Sequence, residues 1–331
     1  MQIKSQRNDG CGMYGDIKLF AGTASPDLAA KISKYLNVPL SDHNVQNFPN
    51  DNLWVQLCDS VRGQDVYVIQ TTSRPVNRNL MELLITLQTL RLDSAGRVTA
   101  VLPYMCYARS DKKDKPRVPI TARLVADMIE IAGADRYMTL DLHAGQIQGF
   151  FSIPGDVLSA FHILTDYILD IRDTLKDVVV VTADLGFAKK GRNFAAAVDA
   201  SMAFVEKRRT GDDNRPEALT LIGEVAGRDV IVVDDEVDTG GSVAQAVKLV
   251  KKHGARRIYL IFIHPIFSDG AAEMLATLPI TQIITTDTVP IPPEKLALLE
   301  GKLNICSIAP LLGEVIRRAH EGRSVGEMFN E

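Results

Sequence analysis

Two apolar runs constrain the fold of this chain more than any other feature. Val178-Val-Val-Val-Thr182 and Val230-Ile-Val-Val233 are β-branched almost without interruption. A strand with one wetted face alternates apolar and polar residues; these runs do not, so both their faces must be covered. Strands buried on both faces belong to parallel sheets flanked by helices. The rest of the chain agrees. Strand-like runs recur at 17–20, 66–70, 98–103, 137–140, 203–205, 258–263 and 282–285, with helical spacing at 26–36, 79–92, 120–132, 243–253 and 271–275. Ser25 and Pro26 mark the first helix start, a cap residue and a proline at the first helical position. The expected fold class is α/β, doubly wound.

An internal echo sharpens this. Val61-Arg-Gly-Gln-Asp-Val-Tyr-Val-Ile-Gln70 reads like Val225-Ala-Gly-Arg-Asp-Val-Ile-Val-Val-Asp234. Each is a Gly turn, an Asp and an apolar strand. Each is followed by a helical stretch and a second strand, introduced by Ala95-Gly-Arg97 in one copy and Gly254-Ala-Arg256 in the other. Any two βαβ units look somewhat alike, but the Gly-x-Asp-apolar phrase recurs in register and favours a tandem duplication. The length of 331 residues suits two domains at about 150 residues each. The expected division is 16–159, with 311–331 packing back on it, and 160–310.

Composition removes several classes. Lys plus Arg is 37 and Asp plus Glu is 41, a net charge of −4, which is not that of a strongly basic nucleic-acid protein. No apolar run is long enough for a membrane span, and no apolar leader follows Met1. Cys11, Cys58, Cys106 and Cys306 lie far apart, which fits neither a zinc knuckle nor a disulfide framework and points to a reduced cytoplasm. Gly10-Cys-Gly-Met-Tyr-Gly15 matches a dinucleotide-binding pattern but precedes the first strand, so a flexible lead-in is the expected reading.

The copies differ where chemistry can sit. After its strand the first runs Gln70-Thr-Thr-Ser73; the second runs Asp234-Asp-Glu-Val-Asp-Thr-Gly-Gly-Ser242. Ligands of open α/β sheets bind beyond the carboxyl ends of strands. In the second copy a buried strand is expected to end in paired carboxylates, and a turn with two glycines opens a helix. Glycines let backbone N–H groups converge on phosphate, and the helix start adds a favourable dipole. Thr239 and Ser242 offer hydroxyls to the same anion. Asp234 and Asp235 suit ribose hydroxyls or a magnesium ion instead. The bland alternative, a solvated acidic turn, leaves this order of residues unexplained.

This segment resembles the phosphoribosyl pyrophosphate (PRPP) motif of type I phosphoribosyltransferases and ribose-phosphate diphosphokinases. Tyr107-Ala-Arg-Ser-Asp-Lys-Lys-Asp-Lys-Pro-Arg117, Asp141-Leu-His-Ala-Gly-Gln-Ile-Gln-Gly-Phe-Phe151, Asn79-Leu-Met-Glu-Leu-Leu84 and Ala309-Pro-Leu-Leu-Gly-Glu-Val-Ile-Arg-Arg318 are similar to the diphosphokinase family. The resemblance runs from about residue 17 to 329. It implies two tandem doubly wound, mostly parallel sheets of phosphoribosyltransferase type. It implies transfer of the diphosphoryl group of ATP to the C1 hydroxyl of ribose 5-phosphate, giving PRPP and AMP. By resemblance, Asp238, Thr239, Gly240, Gly241 and Ser242 hold the 5-phosphate, and His143 and Asp184 hold Mg2+ on the nucleotide phosphates. Both of these follow strand-like runs, which suits ligands at one sheet edge.

The basic stretch Arg109, Lys112, Lys113, Lys115 and Arg117 follows another such run. It reads as a polyphosphate loop or as a solvated charged loop. In the resembled family the arginine at Arg109 contacts adenine, and Phe48 matches a phenylalanine supplied by a neighbouring subunit. The nucleotide set implied is Phe48, Asn50, Asn52, Arg109, Ser110, Asp111 and Lys112. Lys207 and Arg209 precede Thr210-Gly-Asp-Asp-Asn-Arg-Pro216, a run too polar to pack and expected to be mobile. By resemblance it is a catalytic lid whose cations stabilise charge in transit. Hexamers with shared sites imply a homo-oligomer.

The chain departs from the family at Asn47, Asn52, Ser110, Phe187 and Pro265, and beyond Arg209. These positions surround the base, the lid and regulatory surfaces and leave the ribose-phosphate loop intact. Two rival functions remain at this level: a phosphoribosyltransferase, and a non-catalytic paralogue that regulates active subunits.

Overall fold

The computed structural model describes residues 14–183, 185–208 and 218–328. They fall into two compact units, divided between Leu158 and Ser159 and again between Ile308 and Ala309. The sequence Gly10–Gly15 therefore lies mostly outside the described residues.

Along the chain the first unit contains β1 (Ile17–Ala21), α1 (Pro26–Leu36), β2 (His43–Asn47), β3 (Leu53–Leu57), β4 (Asp65–Ile69), α2 (Val76–Leu92), β5 (Arg97–Leu102), α3 (Thr121–Ala132), β6 (Arg136–Leu140) and β7 (Gly155–Leu158). Strands β1, β4, β5, β6 and β7 form one parallel sheet in that order, while β2 and β3 pair only with each other, antiparallel. The second unit contains α4 (Phe161–Asp170), β8 (Val179–Thr182), α5 (Ala188–Ala197), β9 (Ser201–Arg208), β10 (Ala218–Ile222), β11 (Asp229–Val237), α6 (Gly241–Lys252), β12 (Arg257–Pro265), α7 (Ala271–Thr277), β13 (Gln282–Thr286), α8 (Pro293–Leu298) and β14 (Leu303–Cys306). Its seven strands run in the order β10-β9-β8-β11-β12-β13-β14, all parallel except the β9–β10 edge. The chain then returns to the first unit as α9 (Ala309–His320). Among the described residues no helix is long and apolar enough to cross a membrane.

The uninterrupted apolar runs are the sheet centres. All five residues of β4 and all four of β8 are buried. In β4, Val66 and Val68 join a cluster with Leu83 and Leu87 of α2 and Val125 and Ile129 of α3. Tyr67 lies on the other face, where its hydroxyl reaches the Ile316 carbonyl of α9 at 3.4 Å. In β11, Val230 and Val232 pack with Val243, Val247 and Val250 of α6. Each sheet is thus covered on the faces its sequence required.

The echoed aspartates have one job. Asp65 and Asp229 begin β4 and β11, are fully buried, and stand in register with the arginines that begin β5 and β12, Arg97 and Arg257. Arg97 grips Asp65 with Nε on Oδ1 at 2.7 Å and Nη2 on Oδ2 at 2.6 Å. Tyr67 donates its hydroxyl to Asp65 at 2.9 Å, and His320 Nδ1 lies 2.8 Å away. Asp229 receives Arg256 Nε at 2.8 Å, Arg257 Nη2 at 2.7 Å and the Lys176 N–H at 2.8 Å. Burial pushes the Asp229 carboxyl up, but the Arg257, Lys176 and Arg256 hydrogen bonds outweigh it and hold it below the ordinary range.

The two clamps differ in exposure. Arg97 is 11% exposed, whereas Arg256 and Arg257 are 40% and 31% exposed. Removing the carboxylate leaves Arg97 unable to return to water, while the other two arginines can. Asp65→Asn is therefore expected to cost about 3 kcal/mol or more, and Asp229→Asn distinctly less. Urea unfolding midpoints check this; an equal or larger loss for Asp229→Asn would refute the account.

Candidate active site

In the second unit the strand order reverses between β8 and β11, because β9 and β10 lie to one side and β12, β13 and β14 to the other. Such a switch point opens a crevice at the carboxyl ends of the two strands. The acidic segment lies there, with one correction to what the sequence predicts. The strand does not stop before the acids: β11 runs through Asp234, Asp235 and Glu236 to Val237. Parallel pairing to β12 carries it on, with Glu236 opposite His264.

Asp235 and Glu236 are buried, and Asp234 is half-buried. Each aspartate turns back on the backbone: Asp234 Oδ1 accepts the Asp235 N–H at 2.9 Å, and Asp235 Oδ1 accepts the Glu236 N–H at 2.9 Å. Burial, followed by the charge of Asp235, raises the Asp234 carboxyl well above its ordinary range. This end of the strand favours a bound cation or hydroxyl donors. The turn is then fastened from behind, where Phe267 donates its N–H to Val237 O and Ser268 to Asp238 O, both at 2.9 Å. Asp238 is half-buried and Thr239 is exposed. Gly240, at φ +74°, takes the left-handed conformation that lets the chain enter α6. Gly241 and Ser242 open the helix on its exposed side. The first N–H groups of a helix have no acceptor within it, so this turn is built to receive an anion.

The first sheet, β1-β4-β5-β6-β7, does not reverse, and the residue at the matching strand end is bonded within the fold. Gln70, fully buried, occupies the position of Asp234; its Oε1 accepts the Ala24 N–H at 3.1 Å and its Nε2 donates to Asn79 O at 3.3 Å. Buried Glu82 accepts the Thr23 N–H at 2.6 Å and Arg78 Nη1 at 3.3 Å.

Chemistry-bearing residues of that unit sit on neighbouring loops instead. The loop after β5 carries Arg109 and Lys112 on its exposed side. Ser110 faces inward: its Oγ accepts the Thr121 N–H at 3.2 Å and its carbonyl accepts the Ala122 N–H at 3.1 Å, so it caps α3 where Ile120 cannot. Asp111 is buried and accepts a hydrogen bond from Gln146 Nε2. His143 is exposed on the loop after β6, ahead of a 3-10 turn at Gly145–Phe150; β6 belongs to the five-stranded sheet and β8, which precedes Asp184, to the seven-stranded one, so the two residues do not follow strands of one sheet as expected. Phe48, Asn50 and Asn52 are exposed at the tip of the β2–β3 hairpin, an element absent from the strands expected on sequence grounds. The tip is closed by Phe48 N–H to Asn52 O at 2.8 Å. A sequence signal for it exists: the turn-forming run Pro49-Asn-Asp-Asn52 is flanked by Val45 on one side and by Leu53-Trp-Val55 on the other. Lys207 lies within β9, opposite Leu219 of β10, rather than beyond the strand as expected. Asp184 and Arg209, with the polar run after it, lie outside the described residues.

Comparison with known proteins supplies the family. Residues 17–133 match the model for the N-terminal domain of ribose phosphate pyrophosphokinase, and residues 209–330 the phosphoribosyl synthetase-associated domain. A ribose-phosphate pyrophosphokinase of Caldanaerobacter subterraneus is 44% identical over 313 residues, covering 95% of this chain and 98% of its own. The chain belongs to the ribose-phosphate pyrophosphokinase family. The enzyme of that name from Haemophilus influenzae is also 44% identical, over 317 residues, with 95% and 99% covered. The crystal structure of phosphoribosylpyrophosphate synthetase from Mycobacterium smegmatis superposes at a TM-score of 0.88, with 39% identity, covering 93% of this chain and all of that one. Membership accounts for the two α/β sheets. Neither a phosphoribosyltransferase nor a non-catalytic paralogue is favoured by these matches.

The raised Asp234 carboxyl has a testable sign. A carboxyl that holds its proton more tightly folded than unfolded stabilises the fold at low pH. That stability is lost as pH rises through the folded value. Asp234→Asn removes the ionisation. Without ligand or metal, its melting temperature is expected to rise relative to the parent as pH increases from the ordinary aspartate range upward. A difference independent of pH would contradict the assignment.

Proposed function

We propose that this protein makes PRPP, transferring the diphosphoryl group of ATP to the C1 hydroxyl of ribose 5-phosphate and releasing AMP. The observation that carries the reading is the β11–α6 turn: buried carboxylates, then a hydroxyl- and glycine-lined helix start, at a sheet switch point. A phosphorylated sugar needs both halves, N–H and hydroxyl donors for the phosphate and carboxylates for the ring hydroxyls. Gly240, Gly241, Thr239, Ser242 and the Asp238 backbone hold the 5-phosphate. Asp234 and Asp235 accept from the ribose hydroxyls, which fixes the C1 hydroxyl for attack.

In the reaction the C1 oxygen bonds to the β-phosphorus of ATP. The bond from that phosphorus to the oxygen bridging to the α-phosphate breaks, and the hydroxyl proton is lost. Arg109 and Lys112 receive the donor nucleotide, with Phe48, Asn50 and Asn52 on the side of the base. Lys207 and Arg209 neutralise charge as it develops on the transferring oxygens.

Among the described residues no three His, Cys, Asp or Glu side chains gather into a metal cage. The donor set nonetheless suits Mg2+, which keeps several waters and takes one or two protein carboxylates beside substrate phosphates. His143 and Asp184 would hold it on the nucleotide, and Asp234 with Asp235 offer a second place. When bound, it neutralises the polyphosphate and holds it in line. A homo-oligomer, hexameric as in the resembled family, and a cytoplasmic place of work complete the reading.

Purified protein with ribose 5-phosphate, ATP and Mg2+ is expected to release AMP in proportion to PRPP; no AMP with any nucleoside triphosphate would refute the reading. Lys207→Ala is expected to lower kcat roughly a hundredfold with little change in the Kd for ATP. Equal losses in binding and turnover would place Lys207 outside the transition state.

A further inference from the structure

Asp111 is an odd member of a loop that receives polyphosphate. Residues 112–117 are all exposed, yet Asp111 is 7% exposed. The other carboxylate of this run, Asp114, is exposed with the cations around it, so sequence position alone does not turn Asp111 inward. Asp111 faces inward, where its Oδ2 accepts a hydrogen bond from Gln146 Nε2. Gln146 belongs to the 3-10 turn Gly145–Phe150, three residues after His143, and its neighbour Ile147 is fully buried in the core shared with α2 and α3. The bond thus ties the loop after β5 to the loop after β6. On the other side of Asp111, Ser110 is fixed to the start of α3, and Tyr107 donates its hydroxyl to Asn77 Oδ1 of α2 at 2.8 Å.

We infer that Asp111 and Gln146 form a positioning pair that couples the cationic Arg109–Lys112 segment to the His143 loop, so that Asp111 acts on the donor nucleotide through Gln146 and not by contact. The inference deepens the proposed reaction and rests on it for the identity of the donor. Buried Ile147 gives Gln146 a rigid base. The charge-assisted bond then sets where Asp111, and with it the flanking cations, can stand. The link also leaves Arg109 and Lys112 facing outward while the Asp111 carboxylate is turned away from them.

Three variants test it: Gln146→Met, which keeps length and loses the donor, Asp111→Ala, and the two combined. Each single variant is expected to raise KM for ATP roughly tenfold, the scale of one hydrogen bond to a charged group, with KM for ribose 5-phosphate unchanged. The double variant is expected to match either single one, because both break the same link. Amide hydrogen exchange of the unliganded protein is expected to quicken in residues 109–118 of Gln146→Met, with β4 and β11 unaffected. Multiplying effects in the double variant, or a large effect of Asp111→Ala with none from Gln146→Met, would overturn the inference. So would equal rises in both KM values. If the parent protein releases no AMP, the proposed reaction fails, while exchange still judges the link: no change in 109–118 overturns it.

Discussion

The fold depends on a carboxylate–guanidinium clamp made twice. Each sheet must start two adjacent parallel strands at the same level, and parallel strands have no hairpin turn to set their register. Asp65 against Arg97 and Asp229 against Arg257 set it with charge. A buried aspartate is costly without a partner, so register slips that part it from its arginine are strongly disfavoured. The first clamp does more than the second. His320 and Tyr67 join it, so the last helix is fastened to a strand that lies 255 residues earlier for His320.

The same repeat that shares a clamp diverges at the other end of its strands. In the first unit Gln70 and Glu82 satisfy the backbone around the strand ends from within, and Gln70 stands where the second unit has a carboxylate. In the second, Asp234 and Asp235 turn onto their own backbone, and the glycine-lined helix start follows. The first sheet, β1-β4-β5-β6-β7, has no reversal of strand order, and its chemistry-bearing residues stand on side loops. The second sheet does reverse, between β8 and β11, and the acidic segment lies there. The raised Asp234 carboxyl is the electrostatic trace of that difference, since burial and a neighbouring carboxylate both oppose its ionisation.

Much of this is legible in the order of the amino acids alone. Doubly buried strands announce themselves by unbroken β-branched runs, and the site loop by its order of acids, hydroxyls and glycines. The elements that sequence reasoning misses have weak local signals. In the β2–β3 hairpin, β2 is polar but for Val45 and β3 apolar but for Gln56, so a strict alternation is missing from both. The edge strands β7 and β14 have four residues each. Helices α4 and α5 follow no capping residue of the usual kind, and α5 is cationic at its start. Ser110 and Asp111 match a nucleotide-contact pattern by position, but position cannot tell which way a side chain faces. Ser110 caps α3, and Asp111 is buried against Gln146.

The class of fold, its internal repeat and the candidate ligand loop follow from the order of the amino acids alone. Each of these rests on local order: apolar runs, a repeated phrase, and neighbours within a single turn. Where β11 ends, which sheet reverses its strand order, and how Ser110 and Asp111 are tied into the fold emerge with the tertiary structure. Those outcomes depend on partners distant in sequence. Arg97 stands 32 residues from Asp65, and Gln146 35 residues from Asp111. Burial and pairing across such separations exist only once the sheet has formed.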